Sequence, residues 1–550
     1  MRKIGLWLTA GALVLYPVQA PGQTTPLPVA VPSPAQPGRV QVPALPRSPE
    51  ASPPPPAGGR EPSLYLRCDG HPNNMTGLEA FTRLVALSFV VGLMAPAPEN
   101  DDPDKRLFGT AGVAACTTLL DDPTRHEGNG LRRIPLVLAR AVHNIEAKNY
   151  TAAIVDVDGA RAEARALGLI GNPYFDRSMG LSFNLLESEA RLRMGEPEKA
   201  REAGLRDVLA MPASFYPRIA ARLWEVHNPE MTAEENRGWE SRTRGSITNV
   251  WAHASRLADV GRFADAADLA EAMVVASDAV NSKVRNPDAL AAVALYEALA
   301  SRWDLAARHA VEAQVATDTA DAAGTPNPQR PRVIEMLDLF RLLQLDHAGQ
   351  SAEARAGFAA RSQWTAPAPG LVIGATARLR AGARPEELIG ALAKTPGQLR
   401  DERRRLIDAR RGVLDGNNRT LFSFILPYAK IGDFEGLSKN VWRTDKSRIM
   451  ATTPIVDSQF YSLSIVGEPM TQPDALMLHA ALMARARGAS HFIFWQQPTA
   501  VTHALVQFGK PGDAGFADRL ALEADTVIAD LRQIIPSPAE LEARHKAAAK

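Results

Sequence analysis

The chain has 550 residues, 62 Lys and Arg against 61 Asp and Glu, 42 Pro and two Cys. A net charge of +1 argues against a protein built mainly to bind nucleic acid, which calls for a strong basic excess. Two cysteines rule out a disulfide-dense scaffold and a four-cysteine zinc module.

Arg2 and Lys3 precede an apolar run from Ile4 to Val18. This is the charged start and short apolar stretch of an export signal, too short for a typical transmembrane helix. Cleavage is expected after Gly22, because a cut after Ala20 would place Pro21 at an unfavourable position. An uncleaved anchor is the alternative. From Pro21 to Pro62 lie 14 prolines, including Pro53 to Pro56. Proline fixes φ and lacks an amide donor, so this stretch predicts an extended stalk. Leu84–Ala97 is the next most apolar segment and predicts a buried helix stopping at Pro96 and Pro98.

Cys68 follows the stalk and Cys116 lies in an Ala- and Thr-rich segment. In an oxidising compartment an even count favours a Cys68–Cys116 bridge. The alternative is two thiols, with Cys116 buried as a small hydrophobe.

Between about 70 and 410 the sequence turns helical, and one short pattern recurs: a small or turn residue, a spacer, an aromatic or its substitute, then Ala. It occurs at Asn149-Tyr150 with Ala153, at Gly195 with Pro197 and Ala200, and at Gly261 with Phe263 and Ala266. It returns at Arg302-Trp303 with Ala306, and at Gly349 with Ser351 and Ala354. The turn residue reverses the chain, the aromatic opens a second helix, and Ala permits close approach. A single such hairpin leaves an apolar face bare, so neighbours stack on it. These passages resemble the tetratricopeptide-repeat (TPR) family over roughly 110–365. The spacing of about 40 to 66 residues exceeds the family's ~34, its Trp-Leu-Gly start is mostly missing, and two turns lack the aromatic. The resemblance implies a scaffold whose concave face binds a peptide or protein. An irregular Ala-rich helical bundle is the other reading. Phe175, Phe183, Phe215, Tyr216, Trp224 and Trp251 fall outside the pattern; core packing is their expected role, lining a groove the alternative.

The basic run Arg400–Arg411 carries Asp401, Glu402 and Asp408 among Arg403, Arg404, Arg405, Arg410 and Arg411, as on a solvated helix face. A turn-rich break follows at Gly412, Asp415, Gly416, Asn417 and Asn418. Strands are then expected at Leu421–Leu426, Phe460–Val466, Phe492–Trp495 and His503–Phe508. A helix is expected at Pro473–Arg487 and a last one at about Phe516–Ile534. The second and third strands flank a helix, which permits a βαβ-like unit.

No nucleophile elbow, phosphate loop, dinucleotide fingerprint or His-Glu-x-x-His helix occurs. His479, His491 and His503, each 12 residues from the next, would bind a metal only if folding brought them together, and no carboxylate sits at a ligand-like spacing. No catalytic, cofactor or metal residues are assigned. The expected organisation is mainly α: a signal peptide (1–22), a disordered Pro-rich stalk (23–62), a TPR-like α-solenoid (63–415), a small α+β domain (416–536) and a tail (537–550). The expected function is a periplasmic or secreted scaffold for an envelope protein or peptide, binding no nucleic acid and spanning no membrane after signal removal. An envelope hydrolase with its site between solenoid and C-terminal domain, and a small-ligand or glycan-binding module, are the alternatives.

Overall fold

The structure is a computed structural model. It describes residues 61–72, 102–122, 130–214, 244, 247–280, 285–324, 327–416, 419–429, 431–444, 450–465, 472–496 and 502–548. The expectations for the signal peptide, the stalk up to residue 60, the helix Leu84–Ala97, the aromatics Phe215, Tyr216 and Trp224, and Asn417 and Asn418 lie outside the described residues. The chain is mainly helical, with a five-stranded antiparallel sheet towards its C-terminal end.

A short helix α1 (Leu64–Cys68) packs on α2 (Gly109–Leu120). Cys68 and Cys116 join them, with an S–S distance of 2.09 Å, and neither is exposed. Asp69, the next residue, accepts a bidentate pair from the buried Arg132 on the following helix. The His143 ring meets the Cys68 carbonyl at 2.8 Å and the Glu146 carboxylate at 2.9 Å.

Five helical hairpins follow in the described residues. They are α3 (Gly130–Glu146) with α4 (Tyr150–Ala166), α5 (Leu181–Arg193) with α6 (Pro197–Ala210), and α7 (Ile247–Asp259) with α8 (Phe263–Val280). The last two are α9 (Pro287–Leu299) with α10 (Trp303–Ala322), and α11 (Arg330–His347) with α12 (Ser351–Ala359). All five turn through the same joint. A residue of positive φ ends the first helix: Lys148 (62°), Gly195 (78°), Gly261 (80°), Ser301 (63°) and Gly349 (82°). Its amide bonds the carbonyl three residues back, and the next amide bonds the carbonyl five back, at 2.8 to 3.1 Å throughout. This double bond pattern satisfies carbonyls that a helix end otherwise leaves open.

The residue after the turn then supplies the carbonyl that starts the second helix. It accepts from Ala153, Ala200, Ala266, Ala306 or Ala354. All five alanines have no exposed surface, so the two helices of each hairpin meet at a position where a larger side chain would force them apart. The pattern therefore marks real joints. At the two joints without glycine the left-handed residues are Lys148 and Ser301, one place before Asn149 and Arg302. Trp303 also reaches beyond its own hairpin, stacking on His347 of α11 at 4.1 Å.

Adjacent hairpins pack in turn: α4 on α5, α8 on α9, and α9 on α11. Helix α9 is buried from Pro287 to Ala298, as a helix apolar on every side should be. Asn286 caps it through the amides of Asp288 and Ala289. Each fully buried Leu or Val there stabilises by ~1.5–3 kcal/mol over an exposed one. Two further helices, α13 (Pro369–Arg380) and α14 (Pro396–Gly416), close the helical part. Gly412, Asp415 and Gly416 belong to α14 and do not break it.

The sheet has the order β1 (Met450–Pro454), β2 (Tyr461–Ile465), β4 (His503–Gly509), β3 (His491–Gln496), β5 (Leu522–Glu523), every pair antiparallel. Helix α15 (Gln472–Ala486) connects β2 to β3. Both strands run opposite to β4, so they are parallel to each other with β4 between them, a split form of the expected βαβ unit. The run Leu421–Leu426 is not a strand. It opens with a short helix, Arg419–Phe422, and lodges among the first helices, where Arg106 lies 4.0 Å from the Phe422 ring centre and the Leu426 amide donates to Ser182. The final helical run is shorter than expected. Leu522 and Glu523 pair with Phe492 and His491 as β5, so helix α16 starts only at Ala524 and ends at Leu531, with α17 (Pro538–Ala548) after it.

The described residues from Leu64 onward form one compact unit. The sheet region is tied to the helices by a buried pair: Asp530 of α16 accepts from Arg177 at 2.6 Å and from the Ala213 amide at 2.8 Å. Ser458 and Gln459 both donate to the Ala279 carbonyl at the end of α8.

Candidate functional site

The hairpins offer two kinds of surface. The first helices of the last three, α7, α9 and α11, are all contacted by α13. Small residues allow it. A Cβ on Gly370 would come within 2.4 Å of the Asp259 amide nitrogen, and one on Gly374 within 2.4 Å of Phe263 Cζ. Backbone thus lies on backbone at Gly370, a contact that only glycine tolerates. Asp259 at this seam faces Arg403 at 3.7 Å, which places one arginine of the basic run in a helix contact. Burial pushes the Asp259 carboxyl above its ordinary range, with Arg403 and Arg256 opposing.

The first two hairpins leave an open depression of about 560 Å³, lined by Lys148, Tyr150, Val155 and Met194 among others. Val155 is 65% exposed and Met194 38%, while Tyr150 is half-buried. Exposed apolar side chains around a polar rim suit a partner's apolar residue. Of the aromatics outside the repeated pattern, Phe175, Phe183 and Trp251 are buried in the core, the role expected of them, and do not line a groove.

Three charged side chains converge between α8, α9 and α10. Glu297 is 1% exposed, and its Oε2 meets His309 Nδ1 at 2.8 Å. On the other side of the ring Nε2 lies 3.2 Å from Glu271 Oε2. One donor atom from each residue lies within 4.8 Å of the other two, the grouping among the described residues that could hold a metal ion. Burial works against a charged His309 ring, but the Glu297 hydrogen bond and the charges of Glu297, Glu271 and Glu312 outweigh it and raise its pKa. Burial likewise raises Glu271, with His309 opposing and Glu297 reinforcing. Arg308 stands 3.9 Å from Glu271, and Arg285 bridges Asp278 and Glu312. With the ring neutral, these carboxylates outnumber the two arginines by two charges.

Sequence reasoning missed this cluster because its members sit on three helices with no short spacing between them. The histidines it did name stay apart. His479 is buried against the Val441 carbonyl, with its pKa lowered by burial against that bond; His491 meets Ser490, and His503 meets Thr502. Near α17 a second open depression is lined by Glu435, Lys439, Glu542 and His545. No known protein family, no curated protein and no solved structure matches the chain.

Proposed function

We propose that this chain is an exported protein of the bacterial envelope, and that its TPR-like helical array is a scaffold for a protein or peptide partner. The observation that carries the reading is the joint repeated five times with the same backbone bonds and the same buried alanine. Repeated joints of this kind, with α9 packed on both α8 and α11, support an array that grows hairpin by hairpin. Export is supported by the charged and apolar start of the sequence and by the paired cysteines.

The partner surface assigned by this reading is the depression at Tyr150, Val155 and Met194. An apolar side chain of the partner enters it, beside Lys148 at the rim. The face of α7, α9 and α11 is taken by α13 and is not the docking surface. The test is cross-linked capture from the cell envelope with the full chain, comparing wild type with Val155→Glu and Met194→Glu. A partner held by wild type and lost by both variants supports the scaffold. Capture that ignores both substitutions, or a cytoplasmic protein on fractionation, overturns it.

A further inference from the structure

We propose that His309 and Glu271 bind one divalent transition-metal ion between α8 and α10, with Glu297 on α9 holding the imidazole in place. This does not depend on the scaffold reading.

Three observations converge. The first is distance. His309 Nε2 and Glu271 Oε2 stand 3.2 Å apart, yet Glu271 Oε2 has no hydrogen-bond partner among the described residues. Two ligands each ~2.1 Å from a common ion, as nitrogen and carboxylate ligands of zinc are, stand about 3.2 Å apart when they subtend roughly 100°. The second is the ring's other nitrogen. Nδ1 is held by the carboxylate of Glu297, which is 1% exposed. A carboxylate behind the imidazole fixes the ring and its tautomer, so that Nε2 presents its lone pair to the metal. The third is spare capacity and charge. Glu297 Oε1 is also buried without a hydrogen-bond partner among the described residues. An ion on the Nε2 side would give Glu271 Oε2 a partner and offset the excess of two negative charges that surrounds the neutral ring.

Glu271 is one-third exposed, which gives the ion a path from solvent and leaves positions for water. One imidazole with a carboxylate suits Zn²⁺ and its first-row neighbours better than Mg²⁺ or Ca²⁺. A bound ion would join helices of two different hairpins, α8 from one and α10 from the next.

The test titrates the dialysed full chain with Zn²⁺ against a chromophoric chelator, with Mg²⁺ in a parallel titration. One equivalent of Zn²⁺ is expected to bind, with no comparable binding of Mg²⁺. Glu271→Gln and His309→Gln should each abolish it, and Glu297→Gln should weaken it by about 10–100-fold. Absence of Zn²⁺ binding overturns the proposal, as does binding unchanged in Glu271→Gln. If His309→Gln does not fold, the half-buried Glu271→Gln variant and X-ray absorption at the zinc edge decide. A spectrum with one imidazole among oxygen ligands supports the site, and one with several imidazoles overturns it.

Discussion

The joints make a quantitative prediction about backbone strain. Lys148 and Ser301 hold left-handed φ values of 62° and 63°, where an L side chain costs ~1–2 kcal/mol. Both side chains are exposed, so replacing them by glycine removes that cost and little else. Glycine also gains freedom in the unfolded chain, worth ~0.4–1 kcal/mol, so the net gain for Lys148→Gly or Ser301→Gly is about 0.5–1 kcal/mol. The converse substitutions are equally clean. A Cβ built on Gly195, Gly261 or Gly349 meets nothing within 4 Å, so Gly→Ala there adds conformational cost without a clash. Each should lose about 0.5–1 kcal/mol. The sites lie in separate hairpins, so their effects should add. The measurement is the urea midpoint of each variant, with the slope compared to confirm that only stability changed. Neutral Gly→Ala variants at all three joints, or a loss on Lys148→Gly, would refute the view that the left-handed residue sets the turn.

Asp530→Ala should be far more damaging. It strands the buried Arg177 guanidinium and the Ala213 amide, for which ~3–5 kcal/mol is the usual cost of breaking such a pair. The double change Arg177→Met with Asp530→Leu should recover most of that loss, which thermal unfolding of the three variants would reveal. Reducing the Cys68–Cys116 bridge opens a loop closed across 48 residues and should cost up to ~4 kcal/mol by chain entropy, read as a lower melting temperature in reductant. Burial pushes Asp207 up to about 7, against the Asn184 hydrogen bond and helped by Asp176. Its folded pKa is raised, so the stability it contributes is present below its ordinary range and is lost as pH rises towards 7. Asp207→Asn should therefore stabilise the protein at pH 8 and leave it unchanged at pH 4, compared by urea unfolding at both values.

The joints were legible because their grammar is local. A reversal, a first helical residue and an alanine three places later are all set within six residues. The residue that takes the left-handed conformation was less legible at two of them, since the carbonyls of Ile145 and Asn144, or Ala298 and Glu297, dictate the position whatever side chain stands there. Strands β2, β3 and β4 showed as apolar or aromatic runs. Strand β1 did not: Met450–Pro454 lies at the sheet edge with one buried residue, so no alternation marks it. Leu421–Leu426 misled for the opposite reason. Its apolar side chains are buried among the first helices instead of in a sheet. The Glu271, Glu297 and His309 cluster is a product of packing alone, and only the arrangement of three helices brings it together.

The glycine-lined contact of α13 with α7 has a consequence for how this region can change. An open row of hairpins tolerates gaining or losing a unit, because each touches only its neighbours. Here α13 reaches back to α7 while also touching α9 and α11, so the stretch from Ile247 to Arg380 has a fixed tally of units. Excising the hairpin Pro287–Ala322 would part Gly370 from Ala258 as well as remove the central helix. The segment should melt in one step, not peel from an end.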